Sequence, residues 1–162
     1  MSLKIDDIAP AFTLRNQNGE EIVLNKYSGK NVLILFFPFA NTSVCTAEMK
    51  YMRDNINVYK DLNVEVLGIS VDSHFALKMW AEKNSFEFNL LSDFNKQIAP
   101  KYDSLYDVYA SGKYDYKGVA KRSAFIVGKE GKIKYIEICA SPGDQPDYKA
   151  IKEILEKLNR NL

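Results

Sequence analysis

The apolar positions change period several times along the chain, and each change marks an element. Ala11-Phe12-Thr13-Leu14 and Glu21-Ile22-Val23-Leu24 flank Asn16-Gln17-Asn18-Gly19, which predicts a hairpin at a sheet edge. Asn31 to Phe37 is almost continuously apolar, as in a strand buried on both faces of a parallel sheet. Beyond Pro38 the period becomes helical: Met49, Met52, Ile56 and Tyr59 fall on one face of a helix running from about Thr42 to Asp61. Val64 to Val71 reads as the next strand and Phe75 to Lys83, with Trp80, as a second helix. Strand, helix, strand, helix with short connections predicts βαβ units and an α/β fold around a central sheet. Further on, Ser123 to Val127 and Ile133 to Ile138 surround Gly128-Lys129-Glu130-Gly131 as an antiparallel hairpin, and Ile151, Ile154, Leu155 and Leu158 line one face of a last helix. Between them lie Tyr102, Tyr106, Tyr109, Tyr114 and Tyr116 in irregular polar sequence, read as a long loop with short turns of helix.

Composition narrows what this scaffold does. The 162 residues fit a single domain spanning 1–162, with no repeat or linker-like stretch. Lys and Arg number 22 against 21 Asp and Glu, a net charge of +1, so no basic surface for nucleic acid is expected. Two cysteines, Cys45 and Cys139, and one histidine, His74, furnish neither a disulfide framework nor a four-ligand zinc site; no metal or cofactor is expected. The first ten residues mix Lys4, Asp6 and Asp7 among apolar ones, without a signal-peptide or membrane-spanning run, so a cytoplasmic protein with reduced thiols is expected. A cysteine in such a chain serves packing or reactivity.

Cys45 is placed for reactivity. It follows the buried strand and stands in the first turn of the next helix, at the carboxyl end of a sheet strand, where open α/β folds build their sites. Thr42 or Ser43 caps that helix, and its unpaired N–H groups and dipole favour an anion near Cys45. A low-pKa thiolate gains in population what it partly loses in nucleophilicity, so fast chemistry also requires donors aimed at charge developing on a leaving oxygen. Thr42, the first-turn N–H groups and a cation from elsewhere fit that need. The plainer alternative is a buried cysteine packed as a small hydrophobe.

The stretch Pro38-Phe39-Ala40-Asn41-Thr42-Ser43-Val44-Cys45 resembles the Pro-x-x-x-Thr-x-x-Cys signature of the peroxiredoxins, thiol peroxidases with a thioredoxin-like fold. Gly68 to Ser73 leading to Trp80 resembles the segment that follows the family's active-site helix, and Lys121-Arg122-Ser123 to Val127 the strand that delivers its arginine. The likeness runs from about Leu3 to Asn159 and is strongest toward the bacterioferritin comigratory protein group and related one-cysteine bacterial enzymes. It implies a central mixed sheet flanked by helices, with an N-terminal β-hairpin. It further implies that the Cys45 thiolate attacks hydrogen peroxide or an organic hydroperoxide and becomes a sulfenic acid. By the same resemblance Arg122 holds thiolate and peroxide, Thr42 orients the peroxide, Pro38 shields the sulfur, and Glu48 orients Arg122. Glu48 reads equally as an ordinary first-turn carboxylate favoured by the helix dipole.

The chain departs from the family where the sulfenic acid is resolved. Lys50 stands five residues after Cys45, where the group often has its resolving cysteine, and the sequence ends after its last helix, without the resolving tail of two-cysteine members. Recycling by an external thiol or thioredoxin-like reductant is expected, with Cys139 either a resolving or a packed thiol. The family also suggests a homodimer or larger homo-oligomer. Two other activities stay open on the residues: thiol–disulfide exchange, disfavoured because Glu48 occupies the second position of a Cys-x-x-Cys, and a non-enzymatic binding module or holdase. Ser28-Gly29-Lys30 precedes its strand and lacks the first glycine of a phosphate loop, so it reads as a turn. His74 reads as a polar loop residue rather than a partner of Cys45, and the tyrosines as loop packing or a subunit contact.

Overall fold

A computed structural model describes residues 2–160; Met1, Asn161 and Leu162, the ends of the expected 1–162 unit, lie outside the described residues. Strand β1 (Thr13–Asn16) and β2 (Glu21–Val23) form the expected edge hairpin. They lead through a 3-10 turn and the Ser28–Lys30 turn, with Gly29 at φ +88°, into β3 (Asn31–Phe36), every residue of which is buried. Helix α1 (Ser43–Asp61) returns the chain to β4 (Val64–Ser70), and α2 (His74–Asn84) leads to β5 (Asn89–Ser92). Both crossovers join parallel neighbours, as the alternation of strand and helix predicts. In the main sheet the apolar pattern leaves β5 unmarked, because Asn89-Leu90-Leu91-Ser92 shows neither alternation nor an apolar run.

The tyrosine-rich segment is as expected in part. It is largely irregular, with Tyr102 in a 3-10 turn and a helical turn after Ala110, but two short pairings that were not expected tie it into a ribbon: β6 (Leu105–Tyr106) pairs antiparallel with β7 (Val119–Ala120), and Tyr109 bridges Tyr116. The 3-10 turn lies just before it, at Ala99–Tyr102. Phe39 meets Tyr109 and Tyr116 edge-on, so these rings pack the ribbon against the loop that follows β3. Strands β8 (Ser123–Val127) and β9 (Ile133–Ile138) form the second expected hairpin, and α3 (Tyr148–Arg160) closes the described chain.

The main sheet runs β2-β1-β5-β4-β3-β8-β9 and is mixed, since β3 is parallel to β4 but antiparallel to β8. Side chains alternate across it. Leu33, Leu35 and Phe37 face a core shared with α1, α2 and α3, whereas Val32, Ile34 and Phe36 face Phe12, Leu24, Ile98 and Tyr102. The three α-helices therefore cover one face, and the N-terminal segment and 3-10 turns the other. Among the described residues no helix is long and apolar enough to cross a membrane.

Candidate active site

The start of α1 and the start of β8 meet because β8 runs antiparallel to β3. Ser123 pairs with Phe36, so Arg122 emerges beside the point where β3 gives way to the Pro38–Asn41 loop and α1. Its guanidinium donates from Nη2 to Cys45 Sγ at 3.1 Å and from Nη1 to Glu48 Oε1 at 2.6 Å. Cys45, Glu48, Met49, Met52 and Tyr59 form the buried stripe of α1, which points the sulfur and the carboxylate the same way, one turn apart. Cys45 and Arg122 are 1% exposed and Glu48 is sealed from solvent.

One cation thus serves two acidic groups. Burial pushes the Glu48 carboxyl up to about 7, against the opposing pull of Arg122, and Glu48 Oε2 has no hydrogen-bond partner. A second clamp was not legible in the sequence: the Pro142 carbonyl accepts from Arg122 Nε at 3.2 Å and from Nη2 at 2.9 Å, so the loop after β9 holds the guanidinium by its Nε–Nη2 edge. A backbone carbonyl carries no side-chain signature that would announce it.

Thr42 occupies the N-cap position, but its hydroxyl makes no capping bond; it donates instead to the Phe39 carbonyl at 2.8 Å. The capping expectation for Thr42 is corrected, and Ser43 lies inside the helix rather than before it. The sequence offers the hydroxyl, and the left-handed turn at Asn41, φ +65°, decides where it points. Pro38 is buried at the start of this loop, and Thr42 is exposed beside it. A groove of about 740 Å³, lined by Phe39, Ala40, Val71, Phe94 and Tyr116 with Lys96 at its side, opens next to Thr42.

Asp72 was also missed as a site residue, although it follows the carboxyl end of β4, where α/β sites form. Its Oδ2 accepts from Ala40 N at 2.8 Å and so ties the active loop to β4. Trp80 Nε1 donates to Thr46 Oγ1 at 3.1 Å and joins α2 to the first turn of α1.

Cys139 follows β9, buried, with its N–H on the Arg122 carbonyl at 2.9 Å; both cysteines are free thiols. Burial, reinforced by the nearby Glu137 and Glu48, pushes the Cys139 thiol up to about 11, so it stays protonated at neutral pH. His74 is the first residue of α2, its ring 3.9 Å from that of Phe75, and the hydrogen bond to Cys45 comes from Arg122. Lys50 points to solvent. Among the described residues no group of three His, Cys, Asp or Glu side chains could hold a metal ion.

The AhpC/TSA family profile matches residues 5–136. Peroxiredoxin Bcp of Escherichia coli K12 is 38% identical over 134 residues, 83% of this chain and 85% of its own. Alkyl hydroperoxide reductase E of Mycobacterium tuberculosis H37Rv is 35% identical over 157 residues, 96% and 98% of the two chains. Among solved structures, a peroxiredoxin-like protein from Aquifex aeolicus superposes with a TM-score of 0.85 at 26% identity, over 98% of this chain and 89% of that one.

Proposed function

The chain belongs to the AhpC/TSA family of peroxiredoxins, with a thioredoxin-like fold, and is a thiol-dependent peroxidase; on that premise we propose how its residues divide the work. Cys45 is the nucleophile. The observation that carries this assignment is the guanidinium of Arg122, which touches Cys45 Sγ with one nitrogen and Glu48 with the other. The Cys45 thiolate attacks the terminal oxygen of R–O–O–H, the S–O bond forms as the O–O bond breaks, and the electron pair leaves on the alkoxide. A proton from solvent completes the alcohol, and sulfur is left as sulfenic acid. Arg122 holds the thiolate and faces the developing alkoxide charge. Glu48 and the Pro142 carbonyl fix the plane of that guanidinium. Thr42 orients the peroxide, and buried Pro38 keeps bulk water from the sulfur. The apolar groove beside Thr42 supports organic hydroperoxides as substrates alongside hydrogen peroxide.

Recycling is assigned to an external thiol or a thioredoxin-like reductant. One thiol condenses with the sulfenic acid, releasing water, and a second reduces the mixed disulfide. A Cys139 thiol near 11 has roughly one thiolate in ten thousand at pH 7, which supports the external route over internal resolution. The enzyme is taken as one cytoplasmic domain that works as a homodimer or larger homo-oligomer.

Intact-mass analysis after one equivalent of peroxide tests the assignment. Wild type and Cys139→Ser are expected to gain one oxygen, and Cys45→Ser none. Arg122→Ala is expected to react about 10²- to 10³-fold more slowly, the loss typical of removing one donor to a developing oxyanion. Undiminished peroxide consumption by Cys45→Ser would end the assignment, and a loss of two hydrogens in wild type but not in Cys139→Ser would restore Cys139 as the resolving cysteine.

A further inference from the structure

A single amide plane separates the Asp72 carboxylate from the Thr42 hydroxyl. Its N–H, on Ala40, donates to Asp72 Oδ2 at 2.8 Å, and its carbonyl, on Phe39, accepts from Thr42 Oγ1 at 2.8 Å. The same Asp72 oxygen accepts from Ser70 Oγ at 2.6 Å, and the Asp72 carbonyl accepts from Ser92 Oγ at 2.6 Å, so β4 and β5 together hold the carboxylate in place. Asp72 is not occupied with the helix that follows: α2 is capped by Ser73, whose Oγ accepts from Ala76 N. Its side-chain bonds go to the residue that anchors it and to the active loop.

A peptide group is rigid, so fixing the direction of its N–H fixes the direction of its carbonyl. An acceptor on the N–H also polarises the carbonyl and strengthens the bond that it receives. A threonine hydroxyl has one hydrogen and two lone-pair directions. With the hydrogen spent on Phe39, the hydroxyl meets a peroxide only as an acceptor and takes the hydrogen of R–O–O–H. The opposite rotamer would offer the peroxide a donor and turn it differently.

We propose that Asp72 is a positioning residue of the peroxidase reaction: through the Phe39–Ala40 peptide it fixes the direction of the Thr42 hydroxyl, and so the orientation in which a hydroperoxide meets Cys45. This rests on the reading of Cys45 and Thr42 as the peroxide site. Asp72 stands a peptide plane away from the reacting atoms and acts only through Thr42.

The test compares two reactions of the same sulfur. Oxidation by hydrogen peroxide uses Thr42, whereas alkylation by iodoacetamide needs only an accessible, nucleophilic Cys45. Asp72→Ala is expected to slow oxidation about tenfold, the effect of losing one strong hydrogen bond, and to leave alkylation within about twofold. Asp72→Asn, which keeps a side-chain oxygen for Ala40 N–H, is expected to recover most of the loss. In a Thr42→Val background Asp72→Ala is expected to add nothing further, because the two residues act as one unit. If Asp72→Ala does not fold, Asp72→Leu fills the space without an acceptor and carries the same expectation. Equal slowing of oxidation and alkylation, unchanged oxidation, no recovery by Asn, or a full tenfold loss in the Thr42→Val background would each overturn the proposal. A wild type inert to peroxide would instead overturn the peroxidase reading beneath it.

Discussion

Arg122 carries more of the site than any other side chain, because its four hydrogen bonds reach the proposed nucleophile Cys45, the buried Glu48 and a backbone carbonyl at once. Glu48 is the costly member of this arrangement. In the folded chain burial holds its carboxyl at about 7, against an ordinary value of 4.5, so between these limits the folded state keeps a proton that the unfolded state has released. The sign follows: this contribution is fully present below about pH 4.5, and stability is lost as pH rises toward 7. The difference of 7 − 4.5 corresponds to up to about 3 kcal/mol. Glu48→Gln keeps an acceptor for Arg122 and removes the proton. Denaturant unfolding from pH 4.5 to 8 is expected to show wild type losing stability relative to Glu48→Gln across that window; parallel curves would show that Glu48 does not titrate there. The sequence makes Cys45, Thr42 and Arg122 legible as residues, but not the network joining them. The direction of the Thr42 hydroxyl, the Pro142 clamp and the Asp72 anchor depend on loops brought together by the sheet, and no local spacing encodes them.

The elements that present these residues are legible to different degrees, for physical reasons. Strands β3 and β4 are buried along nearly their whole length and read as continuous apolar runs, whereas helix α1 buries one face, with Cys45, Met49, Met52 and Tyr59, and reads as a helical period. The ribbon of β6 and β7 pairs two residues with two others across an intervening loop, and so short a non-local pairing leaves no period to read. Glycine 68 shows how tightly the legible elements fit. A Cβ there would stand 2.9 Å from Leu90 Cδ2 and 3.3 Å from Phe37 Cε1, on the face of β4 that supports α1. Gly68→Ala is expected to cost about 1–3 kcal/mol through overpacking. Urea unfolding measures it, and a cost near zero would mean that Leu90 swings aside freely.

At the scale of the whole molecule, exposed apolar side chains gather beside the site. Phe75, Met79 and Phe94 are 73%, 77% and 62% exposed, and Phe75 and Phe94 line one groove of about 430 Å³. Exposed apolar side chains grouped this way mark contact surfaces, which is why the proposed homodimer is expected to use them. Phe94→Asp is expected to shift the sedimentation coefficient from dimer to monomer at micromolar concentration; an unchanged coefficient would move the interface elsewhere. Cys45 and Arg122 stand 77 positions apart in the chain and meet only when β8 docks against β3. At the usual pace of protein synthesis that separation is roughly 4 to 15 s. For those seconds a nascent chain carries Cys45 without Arg122, and under the roles proposed for them peroxide chemistry begins only when the second half of the molecule arrives.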